Sequence, residues 1–288
     1  MVERVIVAVD GGPASGAALD WTLARSRIIP VRLELTTVVE LGWIPAGGPA
    51  DDFQPAYERA LAEAARYVAR SGPTLKATSV MRRGAPVDEL VRASVDADLL
   101  VIGTNKTGAL AGAVHGTVPL RLAAHAHSPV AVIPVGWRPH GNEIVVGIED
   151  DGTMATTLEF AAAEARREGL PLRLVHAWGI PATLGVDYAA TIPFDALIEA
   201  HREVLQRASA ELSTRHPDID CSLTLVQGAA APALVDAAAS AALIIVGTHG
   251  RGAIAGLILG SVSHDVLLNM PCPVMVVPRS GARTGGPS

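Results

Sequence analysis

GTNKTGALAGAVHGTVPLRLAAHAHSPVAVIP, residues 103–134, and GTHGRGAIAGLILGSVSHDVLLNMPCPVMVVP, residues 247–278, align without a gap, and 12 of their 32 positions are identical. The likeness extends outward in the same order. Arg4-Val-Ile-Val-Ala-Val-Asp10 matches Glu143-Ile-Val-Val-Gly-Ile-Glu149, Pro30-Val-Arg-Leu matches Pro171-Leu-Arg-Leu, and Gly84-Ala-Pro matches Gly228-Ala-Ala. Equivalent segments in a fixed order over half the chain mean a duplicated unit. We therefore expect two domains, residues 1–136 and 142–280, joined by the linker Gly136-Trp-Arg-Pro-His-Gly141, with a disordered tail at 281–288.

Each half has one rhythm. Short β-branched runs alternate with Ala-rich stretches of helical length. In the first half the runs are Val5–Val9, Val31–Val39, Ala77–Met81, Leu99–Ile102 and Val130–Ile133. In the second they are Ile144–Ile148, Leu172–Ala177, Ser222–Val226, Leu243–Val246 and Val274–Val277. Unbroken apolar strands alternating with helices predict a parallel sheet covered on both faces. Pro86 after Gly84 and Pro232 after Gly228 suit first helical turns. The Gly- and Pro-containing segments 42–54 and 179–193 follow the second strand of each half, at the carboxyl edge where open α/β sheets take ligands.

Composition removes whole classes of function. Of 288 residues, 49% are hydrophobic and 18% charged, enough apolar surface for a core, so a disordered chain is excluded. Aromatics are only 3%, so that core is aliphatic. A net charge of −6 gives no basic footprint for nucleic acid. Apolar runs stop at Gly or Pro well short of the ~20 residues of a membrane span. Met1–Asp10 has neither a basic region nor a cleavage site. Cys221 and Cys272 read as buried, reduced thiols, and the cytoplasm is the expected compartment.

The chemistry sits in the repeat. The strand Leu243–Val246 runs into Gly247-Thr-His-Gly250, and nine residues later comes Gly260-Ser261 at a helix start. Such a loop turns backbone N–H groups and the helix dipole toward one point and favours phosphate there. Glycine lets the ligand approach the backbone, and Ser261 adds a hydroxyl donor. G-x2-G-x9-G-[S/T] after a strand is far more specific than a lone glycine pair.

These residues make the chain resemble the universal stress protein family in its tandem form. The strongest carriers are Val5-Ile-Val-Ala-Val-Asp10-Gly-Gly, Ile244-Ile-Val-Gly-Thr-His-Gly-Arg-Gly, Leu259-Gly-Ser-Val-Ser263 and Pro271-Cys-Pro-Val-Met-Val-Val-Pro278. The resemblance implies two flavodoxin/Rossmann-like open parallel sheets of five strands, order 3-2-1-4-5, with helices on both faces. It implies ATP, with Mg²⁺ possible, at the edges of strands one and four, and pairing of Val130–Ile133 with Val274–Val277 as an internal pseudo-dimer. A homodimer of tandem chains is also expected. Carried over residue by residue, the nucleotide-contacting positions are Asp10, Thr36, Gly103, Lys106, Gly116 and Thr117 in the first half. In the second they are Glu149, Ala177, Gly247, Gly250, Gly260 and Ser261.

Each half departs once from the pattern. Lys106 stands where the second glycine belongs; it is one of two lysines in the chain, and reads either as a solvated loop lysine or as a cation beside phosphate. Glu149 stands where the first strand should end in Asp. The second half, with its glycines intact, is expected to be the better site. His115, His125 and His127 read as surface residues, Asp150-Asp151 as a helix cap and the four tryptophans as too scattered for a stacking platform. With no G-x4-G-K-[S/T], no G-x-S-x-G elbow and no nucleophile–base pair, the expected role is a nucleotide-dependent regulatory module in the stress response. The alternatives are a slow ATP hydrolase and a nucleotide-free module that binds a protein partner.

Overall fold

The computed structural model describes residues 2–40, 54–105, 117–179, 193–248 and 259–279. In the first half β1 (Glu3–Ala8), α1 (Pro13–Ser26), β2 (Val31–Val39), α2 (Gln54–Ser71), β3 (Lys76–Arg83), α3 (Pro86–Ser94), β4 (Leu99–Thr104), α4 (Thr117–His125) and β5 (Val130–Pro134) follow in order. In the second come β6 (Ile144–Gly147), α5 (Met154–Glu168), β7 (Leu172–Trp178), α6 (Phe194–Arg215), β8 (Cys221–Gln227), α7 (Ala230–Ala237), β9 (Leu243–Gly247), α8 (Ser261–Asn269) and β10 (Val274–Val277). Every apolar run of the sequence is a strand. Pro13 and Pro86 open α1 and α3, where a missing N–H costs nothing, and Pro232 lies in the first turn of α7.

The ten strands form one sheet, in the order β3-β2-β1-β4-β5-β10-β9-β6-β7-β8. Within each half all pairs are parallel, and the halves meet where β10 runs antiparallel to β5. The two sheets expected from the repeat are therefore continuous. Right-handed crossovers put α1, α2, α5 and α6 on one face and α3, α4, α7 and α8 on the other, and each face carries one apolar cluster spanning both halves. β5 and β10 are buried along their whole length, whereas β3 and β8, the outer edges, are largely exposed. Cys272 is buried just ahead of β10, and burial pushes its thiol up to about 12. Cys221, the first residue of β8, is half-buried instead of buried, because β8 has a neighbour on one side only.

The register corrects one detail of the repeat. Val9 N–H bonds to Thr36 C=O and Ile148 N–H bonds to Val175 C=O. Val9 corresponds to Ile148, so Thr36 corresponds to Val175 and Val38 to Ala177. The alignment of Pro30 with Pro171 is thus two residues away from the pairing that the strands adopt. The loops entering these strands differ in length, and the ladder, not the proline, fixes the match.

Beside the seam, α1 and α5 meet through a buried ion cluster. Arg25 donates to Glu164 at 2.7 and 2.9 Å and to Glu3 at 2.7 and 2.8 Å; its guanidinium lies 5.3 Å from the Trp21 ring centre, and Arg167 also bonds Glu164. Burial opposes the charge on Glu164, but Arg25 and Arg167 outweigh it and hold the carboxyl below its ordinary range. A lowered carboxyl adds stability above its unfolded pKa of ~4.3, and that stability is lost as pH falls through the lower folded value. Glu164→Gln should cost about 3 kcal/mol at pH 7, because it takes from a buried guanidinium one of its two carboxylate partners and leaves Glu3 alone to balance it. It should also flatten the decline between pH 5 and pH 3, as read from urea midpoints.

Candidate functional site

The carboxyl edges of the central strands carry the residues singled out above. The register of β1 with β4 pairs Val7 with Val101, so two residues on Val9 stands level with Gly103 and Asp10 with Thr104. In the second half Val146 pairs with Ile245, which sets Ile148 level with Gly247 and Glu149 with Thr248. The sheet thus brings Asp10 toward Gly103 across 93 residues of chain, and Glu149 toward Gly247 across 98.

The turn after β1 is built by its acid. Asp10 Oδ1 accepts from Gly12 N–H at 2.8 Å, and Gly11 takes φ +81°, where a Cβ would come within 2.9 Å of Ala60 Cβ. The turn leads directly into the uncapped N-terminus of α1. In the second half the same job passes to another residue: Asp151 Oδ1 accepts from Thr153 N–H at 2.8 Å and from its hydroxyl at 2.6 Å. Asp151 therefore organises the approach to α5 but does not cap it as expected: its carboxylate holds Thr153, which is itself the N-cap residue, so the bond forms a turn ahead of the helix. Asp150 does not cap; it pairs with Arg207 at 2.9 Å. Glu149 is one methylene too long for the tight side-chain turn that Asp10 makes, so the acid that shapes the turn sits two residues later.

The second half also shows how its helix is presented. Gly260 N–H bonds to Thr248 C=O at 2.7 Å, fastening the start of α8 to the end of β9. Ser261 follows as the first residue of α8, exposed, with no side chain among the described residues capping the helix. The first-turn N–H groups have no intrahelical acceptor and concentrate the positive end of the dipole beside Gly247. Ser263 turns back to Gly260 C=O at 3.1 Å and stiffens this corner. Thr117 opens α4 in the matching place. Lys106, Gly116 and Gly250 lie outside the described residues, as do His115 and His249.

Gly103 has a further duty. A Cβ there would fall 1.8 Å from Ala14 C=O, so the bare backbone of β4 lets the first turn of α1 lie directly on it. Gly103→Ala should lower stability by about 3 kcal/mol or abolish folding. Gly136→Ala, at φ +78° with no atom within 4 Å of its Cβ, should cost only about 1 kcal/mol in urea unfolding.

Two of the expected contacts lie on the strands themselves. Thr36 lies inside β2, three residues before its end. Its hydroxyl donates to Glu34 at 3.0 Å and its carbonyl is taken by Val9 N–H, because Glu34 needs it alongside Arg4 and Arg82. Ala177 lies one residue before the end of β7, at the edge. Beside it stands an aromatic–imidazole cluster that no sequence motif announces. Trp178 stacks on His201 at 5.3 Å between ring centres and meets Phe194 edge-on at 5.8 Å. His176 Nδ1 lies 2.8 Å from Ile148 C=O, which only accepts, so this nitrogen carries the proton and Nε2 faces His201 Nδ1 at 2.9 Å. His176 and Trp178 share one face of β7, but their partner His201 lies 25 residues from His176 on α6, so a linear reading does not join them. His125 and His127 are exposed, and no three His, Cys, Asp or Glu among the described residues are placed to hold a metal.

A cleft of about 230 Å³ opens between α1 and α2, lined by Gly12, Gly16, Asp20, Glu63 and Tyr67 among others. Tyr67 donates to Asp20, and that bond, with burial, raises its pKa. None of the expected contact residues among the described ones lines this cleft. No helix among the described residues is long and apolar enough to cross a membrane.

Comparison with known proteins agrees with this architecture. The universal stress protein family model matches residues 1–134 and again 142–278. Two universal stress proteins of Mycobacterium tuberculosis are each 33% identical to this chain. One aligns over 298 residues, 94% of this chain and 94% of its own, and the other over 295, 96% and 97%. The crystal structure of a universal stress protein from Archaeoglobus fulgidus superposes with a TM-score of 0.73 at 19% identity, covering 96% of this chain and 97% of its own. The chain belongs to the universal stress protein family, with two family units in tandem.

Proposed function

We propose that the protein is an adenine-nucleotide-binding regulatory module of the stress response. Its domains span 1–136 and 142–280, and the second carries the stronger site. The observation that supports this reading most is the corner at Gly260–Ser261, where a hydrogen bond to Thr248 holds an uncapped helix start beside Gly247 and Glu149. Phosphates fit the first-turn N–H groups of that corner and the Ser261 hydroxyl, with Gly250 completing the loop. The nucleoside extends past Glu149 toward the backbone of Ala177. Mg²⁺ would arrive on the phosphates of ATP and neutralise part of their charge.

The first domain offers Asp10, Gly103, Gly116 and Thr117 with Lys106 in place of a glycine, and we assign it the weaker affinity. Thr36, the remaining first-domain contact in this reading, stands on β2 beside β1, with its hydroxyl on Glu34 and its carbonyl on Val9 N–H. The module acts in the cytoplasm, as a homodimer of tandem chains, by coupling occupancy of the edge loops to a protein partner. The adenine nucleotide released on denaturing gently purified protein, quantified by anion exchange, tests the reading. At least one equivalent per chain is expected. Ser261→Asp, which sets a carboxylate where phosphate binds, should weaken ATP binding at least 10-fold in calorimetry with the fold unchanged. Protein that is empty and shows no heat on adding ATP overturns the proposal, and turnover of ~1 s⁻¹ or faster replaces it with an enzyme.

A further inference from the structure

The two halves are related by an approximate twofold rotation, and strand register locates its axis. Across the seam Val132 faces Val274, Ala131 faces Met275 and Val130 faces Val276. In the 103–134/247–278 alignment, Val130, Ala131 and Val132 correspond to Val274, Met275 and Val276. The flanking pairs exchange under the rotation, while Ala131 faces its own counterpart. The axis passes through that pair, as it must through a self-facing pair of any twofold interface.

A second self-facing position lies on the helical layer above it. Val5 corresponds to Ile144 and Val7 to Val146; at the same spacing Leu19 corresponds to Leu158, both buried in the same cluster. Arg25 is then the counterpart of Glu164, and these two residues bond to each other at 2.7 and 2.9 Å. Arg25 is 2% exposed and Glu164 not at all. Ala131 and Met275 belong to the same cluster that α1 and α5 cover.

Two copies of one half would set like against like at both positions. Glu3 beside Arg25, and Arg167 beside Glu164, balance charge within each half, so the selection lies in hydrogen bonds and volume. A guanidinium has only donors and a carboxylate only acceptors. First half on first half would bury donor against donor and leave alanine facing alanine over a void. Second half on second half would bury acceptor against acceptor and crowd methionine on methionine. Unpaired buried groups and misfilled volume are both costly. Here both positions are complementary, donor with acceptor and small with large.

We propose that the surface joining the halves is heterospecific. Each half accepts the opposite half, from this chain or from another copy, and rejects a second copy of itself; Arg25, Glu164, Ala131 and Met275 determine that choice. The full chain, carrying a protease site inserted between the exposed Pro139 and His140, is folded and then nicked. Nicked ¹⁵N-labelled and unlabelled protein are mixed until labels scramble among first–second pairs, and all pairs are weighed by native mass spectrometry. Like–like pairs should stay below about a tenth of the total. In R25M/E164M, where only Ala131 and Met275 still discriminate, they should rise clearly above that share, toward but short of the half that random pairing gives. Like–like pairs at the random share in the unsubstituted protein, or a double variant as exclusive as the parent, overturn the proposal. Where labels do not scramble, thermal midpoints of the intact chain decide. Arg25→Glu and Glu164→Arg should each fall further than R25M/E164M, since Glu3 and Arg167, already paired at 3.6 Å, still balance each other when both central charges are gone, whereas a single reversal leaves three like charges together. A double variant that falls as far as either single reversal refutes it.

Discussion

Three residue pairs between β5 and β10 hold two parallel half-sheets in one ten-stranded surface. Each half alone would end at a fully apolar strand with unpaired N–H and C=O groups, an edge that soluble proteins rarely leave open. Joining these edges leaves β3 and β8 as the outer strands, and these are shorter of apolar side chains and richer in exposed polar ones. The helical layers follow from the same seam. Because the halves meet by a twofold rotation, α1 and α5 come together on one face and share a single apolar cluster with α2 and α6.

The cluster of Arg25, Glu3, Glu164 and Arg167 is the polar counterpart of that seam. Such a cluster adds little net stability over an apolar filling, since desolvation takes back most of the attraction. Its value lies in direction: a planar fork accepted by two carboxylates fixes how α1 lies on α5. Gly103 fixes α1 from below, through the close approach of Ala14 to β4. The helix that begins at the Asp10 turn is therefore located at both ends, and the edge of the sheet inherits that order.

At the edge itself the halves have diverged in how they build the same corner. Asp10 makes its own turn, whereas in the second half Asp151 makes the turn and leaves Glu149 beside Thr248. His176, His201 and Trp178 then close the outer end of β7. Duplication supplied two equivalent scaffolds, and side-chain length redistributed the work between them.

The duplication, the ten strands, their parallel character and the glycine-bearing loops are all legible in the chain, because they rest on local pattern: period, β-branched runs, and glycine or proline at fixed offsets. The corner at Gly260–Ser261 was legible for the same reason. Other features depend on which residues meet across the fold. The two-residue shift that pairs Val38, and not Thr36, with the position of Ala177 is set by the ladder between β1 and β2. The pairing of Arg25 with Glu164, 139 residues away, and the stacking of Trp178 on His201 arise only when helices pack on the sheet. Local pattern encodes what each segment is; tertiary packing decides what each side chain finds opposite it, since hydrogen bonds and van der Waals contact act over a few ångströms of space and not along the chain.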